Sequence, residues 1–210
     1  YCHPRDLHSF PTRRSSDLTE ISRLHTRLET TMVYVTHDQI EAMTMGDRIV
    51  VMKDGIVHQV AQPTDLYDSP ANTFVAGFIG TPPMNFFNVQ ITRDGEKLLL
   101  REETFALEIV PEWRQKLLPY VGKKVVFGMR PEHVGSPTAE NIAGAPKMAA
   151  TVEVVEPMGS ESYLYLNTGQ NSFIARVDSH RLCHVGDRIE LALMLNKGHV
   201  FDGDTGNVIV

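Results

Sequence analysis

The chain has 210 residues, 42% of them hydrophobic and 22% charged, with a formal net charge of −6. That length suits one large or two small soluble domains, and the acidic balance argues against a general attraction to nucleic acid or an anionic membrane. Two cysteines, Cys2 and Cys183, are too few for a disulfide framework and fit a reducing, cytosolic setting; no run of about 18 apolar residues reads as a membrane span, and no secretory signal is visible.

Residues 1–18, YCHPRDLHSFPTRRSSDL, follow neither a helical nor a strand period. Cys2, His3 and His8 are metal-ligand types, but their spacing matches no zinc pattern, so no metal is assigned. The stretch resembles translated sequencing-adapter read-through and is set aside as a foreign or disordered tail. On that reading the chain is the C-terminal fragment of a longer one.

Next, Ile21, Leu24 and Leu28 recur at helical spacing, with Arg23 and Arg27 on the polar side, which predicts an amphipathic helix. The run TMVYVT (31–36) is β-branched and aromatic with little alternation, which predicts a strand buried on both faces. His37 then stands just past the strand's C-terminal end, where open α/β sheets bind ligands. Position leaves two readings: a ligand-binding histidine with a near-neutral pKa, or a residue bonded to backbone at a helix start. Position alone favours the second.

A helix should follow, capped through Thr36 and Gln39 or through Asp38 and Glu41, and ended by Gly46 in a left-handed conformation. Asp54-Gly55 predicts a hairpin within RIVVMKDGIVHQVA, because both turn positions need positive φ. Pro63 opens another helix, and ANTFVAGFIG runs to a breaker at Gly80.

Beyond residue 85 the pattern becomes short strands: VVFGMR, TVEVVE, SYLYLNTG, SFIARV and RIELALML, the last with Ile189, Leu191, Leu193 and Leu195 on one face. Their spacing predicts a small β-barrel or sandwich. PEWRQKLLPYVG reads as an intervening helix, with Trp113 as a partly buried anchor at the domain surface. His180, Cys183 and His184 cluster in sequence, but Cys183 reads better as a small buried residue. The switch from α/β to mostly β falls near residue 80. The roughly 60 residues before it are marginal for an independent core, so they should belong to a larger sheet.

The segments VTHDQIEAMTMGDRIVVM, FVAGFIGTPPMNFF, FGMRPEHV and HVFDGDTGNVI resemble the C-terminal part of the ATP-binding subunits of ABC importers, and more narrowly the maltose, multiple-sugar and glycerol-3-phosphate group. The resemblance covers nearly all of residues 19–210. It implies an α/β fragment of a P-loop NTPase ABC domain over 19–80, followed by a mostly β, OB-like TOBE regulatory barrel over 81–210. It makes His37 the switch histidine, the one catalytic and ATP-contacting residue, touching the γ-phosphate and helping to hold the attacking water. Asp38 and Gln39 remain helix-start residues, and Glu132-His133 a structural signature of the barrel.

The same resemblance implies ATP and Mg²⁺ as ligands of the full-length relative, a homodimer or paired ATPase subunit, and membrane permease subunits as partners. A signalling-protein contact on the barrel and a place on the cytoplasmic face of the plasma membrane also follow, with no nucleic-acid partner. Yet G-x-x-x-x-G-K-[ST] does not occur in the 210 residues, nor do the Gln loop, the signature motif or a Walker B pair. Asp47 and Asp54 read as helix-end and turn residues. The chain alone is therefore expected neither to bind ATP tightly nor to hydrolyse it. Two alternatives stay open: a regulatory or dimerisation module without its own catalysis, and the same ATPase family serving polyamine, iron or oxyanion import.

Overall fold

The structure, a computed structural model, describes residues 20–21, 23–135, 145–179 and 183–210. The expectations for residues 1–18, including Cys2, His3 and His8, and for His180 lie outside the described residues. Helix α1 spans 23–28, and its apolar residues Leu24 and Leu28 stay about half exposed.

The segment 31–36 departs from expectation: it forms no strand, and Val33 and Val35 are each 90% exposed. A doubly buried strand needs a neighbour on each edge and a layer on each face. Among the described residues none runs beside it, so the residue pattern lacks the sheet it is suited to.

Helix α2 (Gln39–Met45) starts at Asp38, whose side chain accepts from the Ile40 and Glu41 amides. Of the two capping registers, the Asp38 one forms. Gly46 ends the helix, but with φ −85° and ψ 125° rather than in the left-handed region. Its reason for being glycine is crowding: a Cβ there would lie 3.1 Å from the Ala42 carbonyl oxygen and 3.3 Å from Ile49 Cγ1.

The hairpin of β1 (Ile49–Lys53) and β2 (Ile56–Ala61) turns at Asp54 and Gly55, with φ 52° and 77°, the positive pair that matches strand twist. One face carries Val51 into a small core with Leu66, Val75 and Ile79. Those partners come from α3 (Pro63–Asp68), from α4 (Thr73–Phe78) and from Ile79, which ends α4. Pro63 sits at the first turn of α3, where its missing N–H costs nothing.

From residue 85 the chain is mostly β. β3 (Asn85–Asp94), β4 (Lys97–Arg101), β5 (Ala106–Glu108), β6 (Lys124–Met129), β7 (Val134–Gly135), β8 (Lys147–Pro157), β9 (Glu161–Asn167), β10 (Ser172–Asp178), β11 (Arg188–Leu193) and β12 (His199–Asp202) build two sheets. Their orders are β12-β6-β3-β4-β5 and β10-β9-β8-β11-β7, with antiparallel pairing throughout. Burial alternates along β3, β9 and β10, as it must when one face of each strand meets a shared core.

That core is continuous across both sheets. Phe87 of β3 lies 5.3 Å, centroid to centroid, from Phe173 of β10 in the other sheet, and 5.9 Å from Phe127 of β6. Helix α5 (Pro111–Leu117) adds Trp113 and Leu117 to the same core, so Trp113 is a core residue rather than a surface anchor.

One polar side chain ties the sheets together. Asn85, 7% exposed, donates from Nδ2 to the Ile174 carbonyl at 2.8 Å and accepts from the Ile174 amide at 2.8 Å. Its amide thereby completes strand β10 as a neighbouring strand would. Asn85→Leu would leave both Ile174 groups without this partner in a part-buried site, a cost on the order of 1–2 kcal/mol. Urea unfolding should show a clearly lower midpoint with an unchanged slope; an unshifted midpoint would show that the bridge is dispensable.

Candidate functional site

His37 sits in the bend immediately before α2, with its side chain exposed. The backbone under it is held by one buried carboxylate. Glu41, 5% exposed, accepts from the Thr36 hydroxyl at 2.6 Å and from the Tyr34 hydroxyl at 3.2 Å. Thr36 Oγ1 in turn accepts from the Asp38 amide at 2.9 Å. The loop 34–38 is thus tied back onto its own helix, which fixes the direction in which His37 leaves the backbone.

Gln39 does something the sequence did not suggest. Instead of closing a capping box with Thr36, its Oε1 accepts from the Gly80 amide at 2.9 Å. The start of α2 is therefore connected to the end of α4 and to the junction with the β-sheets.

Arg130 is the centre of that junction. It follows β6 directly and is 2% exposed. Nη1 donates to the Ile79 carbonyl at 2.5 Å and, more weakly, to that of Ala76 at 3.5 Å; Nη2 donates to the Tyr67 carbonyl at 2.8 Å. The guanidinium also lies 3.8 Å from the centre of the Tyr67 ring, an attractive cation–π arrangement. The Tyr67 hydroxyl donates to Glu132 Oε1. Burial, reinforced by that carboxylate, pushes the Tyr67 hydroxyl pKa up to about 12, so it remains a donor. Gly80 has φ +117°, and a Cβ there would stand 2.7 Å from Arg130 Nη1; only glycine admits the guanidinium.

Apolar and backbone contacts complete the junction. Ala76 of α4 shares a cluster with Met84 and Phe201 of β12. The Thr73 amide donates to the Gly206 carbonyl at 2.9 Å and the Val208 amide to that of Ala71 at 2.9 Å. The turn leading to Gly206 is held by Asp202, which accepts from the Thr205 amide and hydroxyl. The Thr205 hydrogen bonds are the main reason its carboxyl pKa is lowered.

Two histidines flank Arg130. Burial lowers the pKa of both His133 and His199, and for His199 the neighbouring Arg130 adds to the effect. His133 Nδ1 is buried without a partner. Both rings are therefore carried neutral.

Among the described residues no cluster of His, Cys, Asp and Glu could hold a metal ion, and no helix is long and apolar enough to cross a membrane. Asp47 is exposed at the end of α2, and Asp54 occupies the hairpin turn. Cys183 is half-buried and packs against the barrel core.

Residues 80–134 match the MalK OB fold domain family, and residues 127–201 match the TOBE domain family. Their overlap, 127–134, contains Arg130, Glu132 and His133. The chain is 45% identical over 191 residues to the oligosaccharides import ATP-binding protein MsmX of Bacillus subtilis, covering 89% of this chain and 51% of that protein. It is 42% identical over 194 residues to the trehalose/maltose import ATP-binding protein MalK of Thermococcus litoralis, covering 90% and 51%. It is 43% identical over 207 residues to the multiple sugar-binding transport ATP-binding protein MsmK of Streptococcus mutans, covering 91% and 54%. The chain spans about half the length of these curated relatives.

Two outcomes follow from the junction. Arg130→Ala leaves three carbonyls and a tyrosine face without their donor, so thermal unfolding should show a loss of about 3 kcal/mol; a change near zero would remove Arg130 as the organising group. The histidines set a pH window. Their folded pKa values lie below the unfolded value of about 6.5, so stability is complete above that pH. As pH falls below it, the unfolded chain binds protons first and stability drops. The melting temperature should fall between pH 7.5 and 5.5, and replacing both His133 and His199 by Gln should flatten that slope.

Proposed function

Because residues 80–201 belong to the MalK OB fold and TOBE domain families, within a chain homologous to sugar-import ABC ATP-binding proteins, we propose that it acts as part of the ATP-binding subunit of an importer for sugars or glycerol-3-phosphate. The observation that carries this reading is identity of 45% across nearly the whole described chain with the Bacillus oligosaccharide-import protein. On this reading residues 19–80 contribute to the ATPase domain and residues 81–210 form the regulatory barrel. The working unit is a pair of ATPase subunits seated on membrane permease subunits at the cytoplasmic face.

His37 is the residue assigned to chemistry. Phosphoryl transfer is accelerated chiefly by positioning and by stabilising charge on the transferring group. An imidazole held on the tied loop before α2 can donate to a γ-phosphate oxygen and help to orient the attacking water. ATP is the substrate. Mg²⁺ would arrive with it, and no acidic cluster among the described residues fits the metal. On this reading the phosphate cradle and the metal-binding carboxylates are expected outside the residues described here.

A second reading, a regulatory or dimerisation module, has its own support: the large core draws no residue from before Phe87.

A chimera decides between them. The first half of MsmX is joined to residues 20–210 of this chain, and ATP hydrolysis is measured. The chimera should turn over ATP, and His37→Ala should lower kcat by about 10²–10³ with a smaller change in ATP binding. A folded, ATP-binding chimera indifferent to His37→Ala would overturn the assignment. The 210-residue chain by itself should show no micromolar ATP affinity by calorimetry.

A further inference from the structure

The peptide group between Ile79 and Gly80 is held at both of its ends. Its carbonyl accepts from Arg130 Nη1 at 2.5 Å, and its amide donates to Gln39 Oε1 at 2.9 Å. A peptide group is planar and turns as one piece, so both bonds depend on the orientation of one plane. A charged donor on the carbonyl also polarises the group and strengthens its N–H as a donor. Gly80, at φ +117°, is the residue type for which turning that plane meets least steric resistance. On the other side of the contact, Gln39 is the first residue of α2 and stands two positions from His37. Met43, one turn on and on the same helix face, packs against the small core. The apolar contact holds the body of α2, and Gln39 holds the end from which His37 leaves.

We propose that Gln39 is a positioning residue for His37, and that the Ile79–Gly80 peptide is the element through which Arg130 sets that position. The inference rests on the functional reading above and adds a means of regulating the same site. Displacement of Arg130 relative to α4 frees the peptide plane, the plane frees Gln39, and the first turn of α2 carries His37 away from its phosphate. A misplacement of about 1 Å at such a group costs up to about 10²-fold in rate. Position 39 is asked only for an acceptor. Glu supplies an acceptor oxygen there, whereas Met keeps the length and lacks one.

The test has two parts. In the 210-residue chain, hydrogen exchange at the Gly80 amide is followed by NMR. Gln39→Met should speed it about tenfold, Gln39→Glu should leave it slow, and neither should alter β8–β10. In the chimera with the first half of MsmX, Gln39→Met should lower kcat about tenfold with KM for ATP changed less than about twofold. Gln39→Glu should keep kcat. Arg130→Lys should lower kcat too, and Gln39→Met added to it should cost less than it does alone, because the plane is already free. Unchanged exchange at Gly80 would overturn the tether. The positioning role would be overturned by a loss of kcat that Gln39→Glu shares, by full additivity with Arg130→Lys, or by no loss in Gln39→Met while His37→Ala still lowers kcat. If Arg130→Lys does not fold, Gly80 exchange and the Gln39→Glu comparison decide. A chimera indifferent to His37→Ala fails the functional reading instead, and exchange at Gly80 then judges the tether by itself.

Discussion

A guanidinium taken out of water must find acceptors for its donors, and in this chain that requirement organises the junction. Arg130 stays charged at any working pH and is almost wholly buried, so carbonyls have to be delivered to it. They come from the ends of two helices, through Tyr67, Ala76 and Ile79. That demand fixes where α3 and α4 stop and why Gly80 follows. It also explains why the Tyr67 ring lies against the guanidinium while its hydroxyl reaches Glu132. Through the Gly80 amide the arrangement extends to Gln39 and the start of α2, placing His37 two residues from a side chain anchored to the junction.

Much of this architecture could be read from residues that act locally. Asp54-Gly55, Asp38 before α2, Pro63 at the start of α3 and the alternation in β9 and β10 each impose a backbone geometry on their own neighbours. What escaped depends on distant partners. The expected strand at 31–36 failed because its sequence specifies a sheet whose other strands are not among the described residues. β3 to β5 were missed although Gly95-Glu96 joins β3 to β4 in a two-residue loop. Gly46 was assigned a left-handed cap when its neighbours Ala42 and Ile49 demand smallness. Arg130, within FGMRPEHV, carries no local sequence signal of its role, since nothing near it announces that helix ends will converge on it. Asn85 is similar: its role exists only because Ile174 passes beside it.

The molecule thus holds two cores of unequal size. The larger one joins both sheets and seals the barrel; the smaller consists of Val51, Leu66, Val75 and Ile79 with their partners. Beside them, Ala76, Met84 and Phe201 form a third, smaller cluster that brings α4 against β12. Local opening is easiest where few apolar contacts must be broken, which places the more yielding structure around the helix that follows His37. The barrel, with Phe87 packed against rings from both sheets, is the firm part. From the exposed histidine on the softer side, one polar route to the firm body runs through Gln39, Gly80 and Arg130.

The pairing of Ala71 and Thr73 with Val208 and Gly206 has a consequence for how the chain comes into being. A ribosome makes residues 71–73 long before it makes 206–208. Helix α4 therefore emerges with one flank bare, and the segment that closes it arrives later. Such distant contacts also raise contact order and slow folding. Until then the bare flank is a surface that a chaperone can hold, so the junction matures only once both of its distant segments have been made.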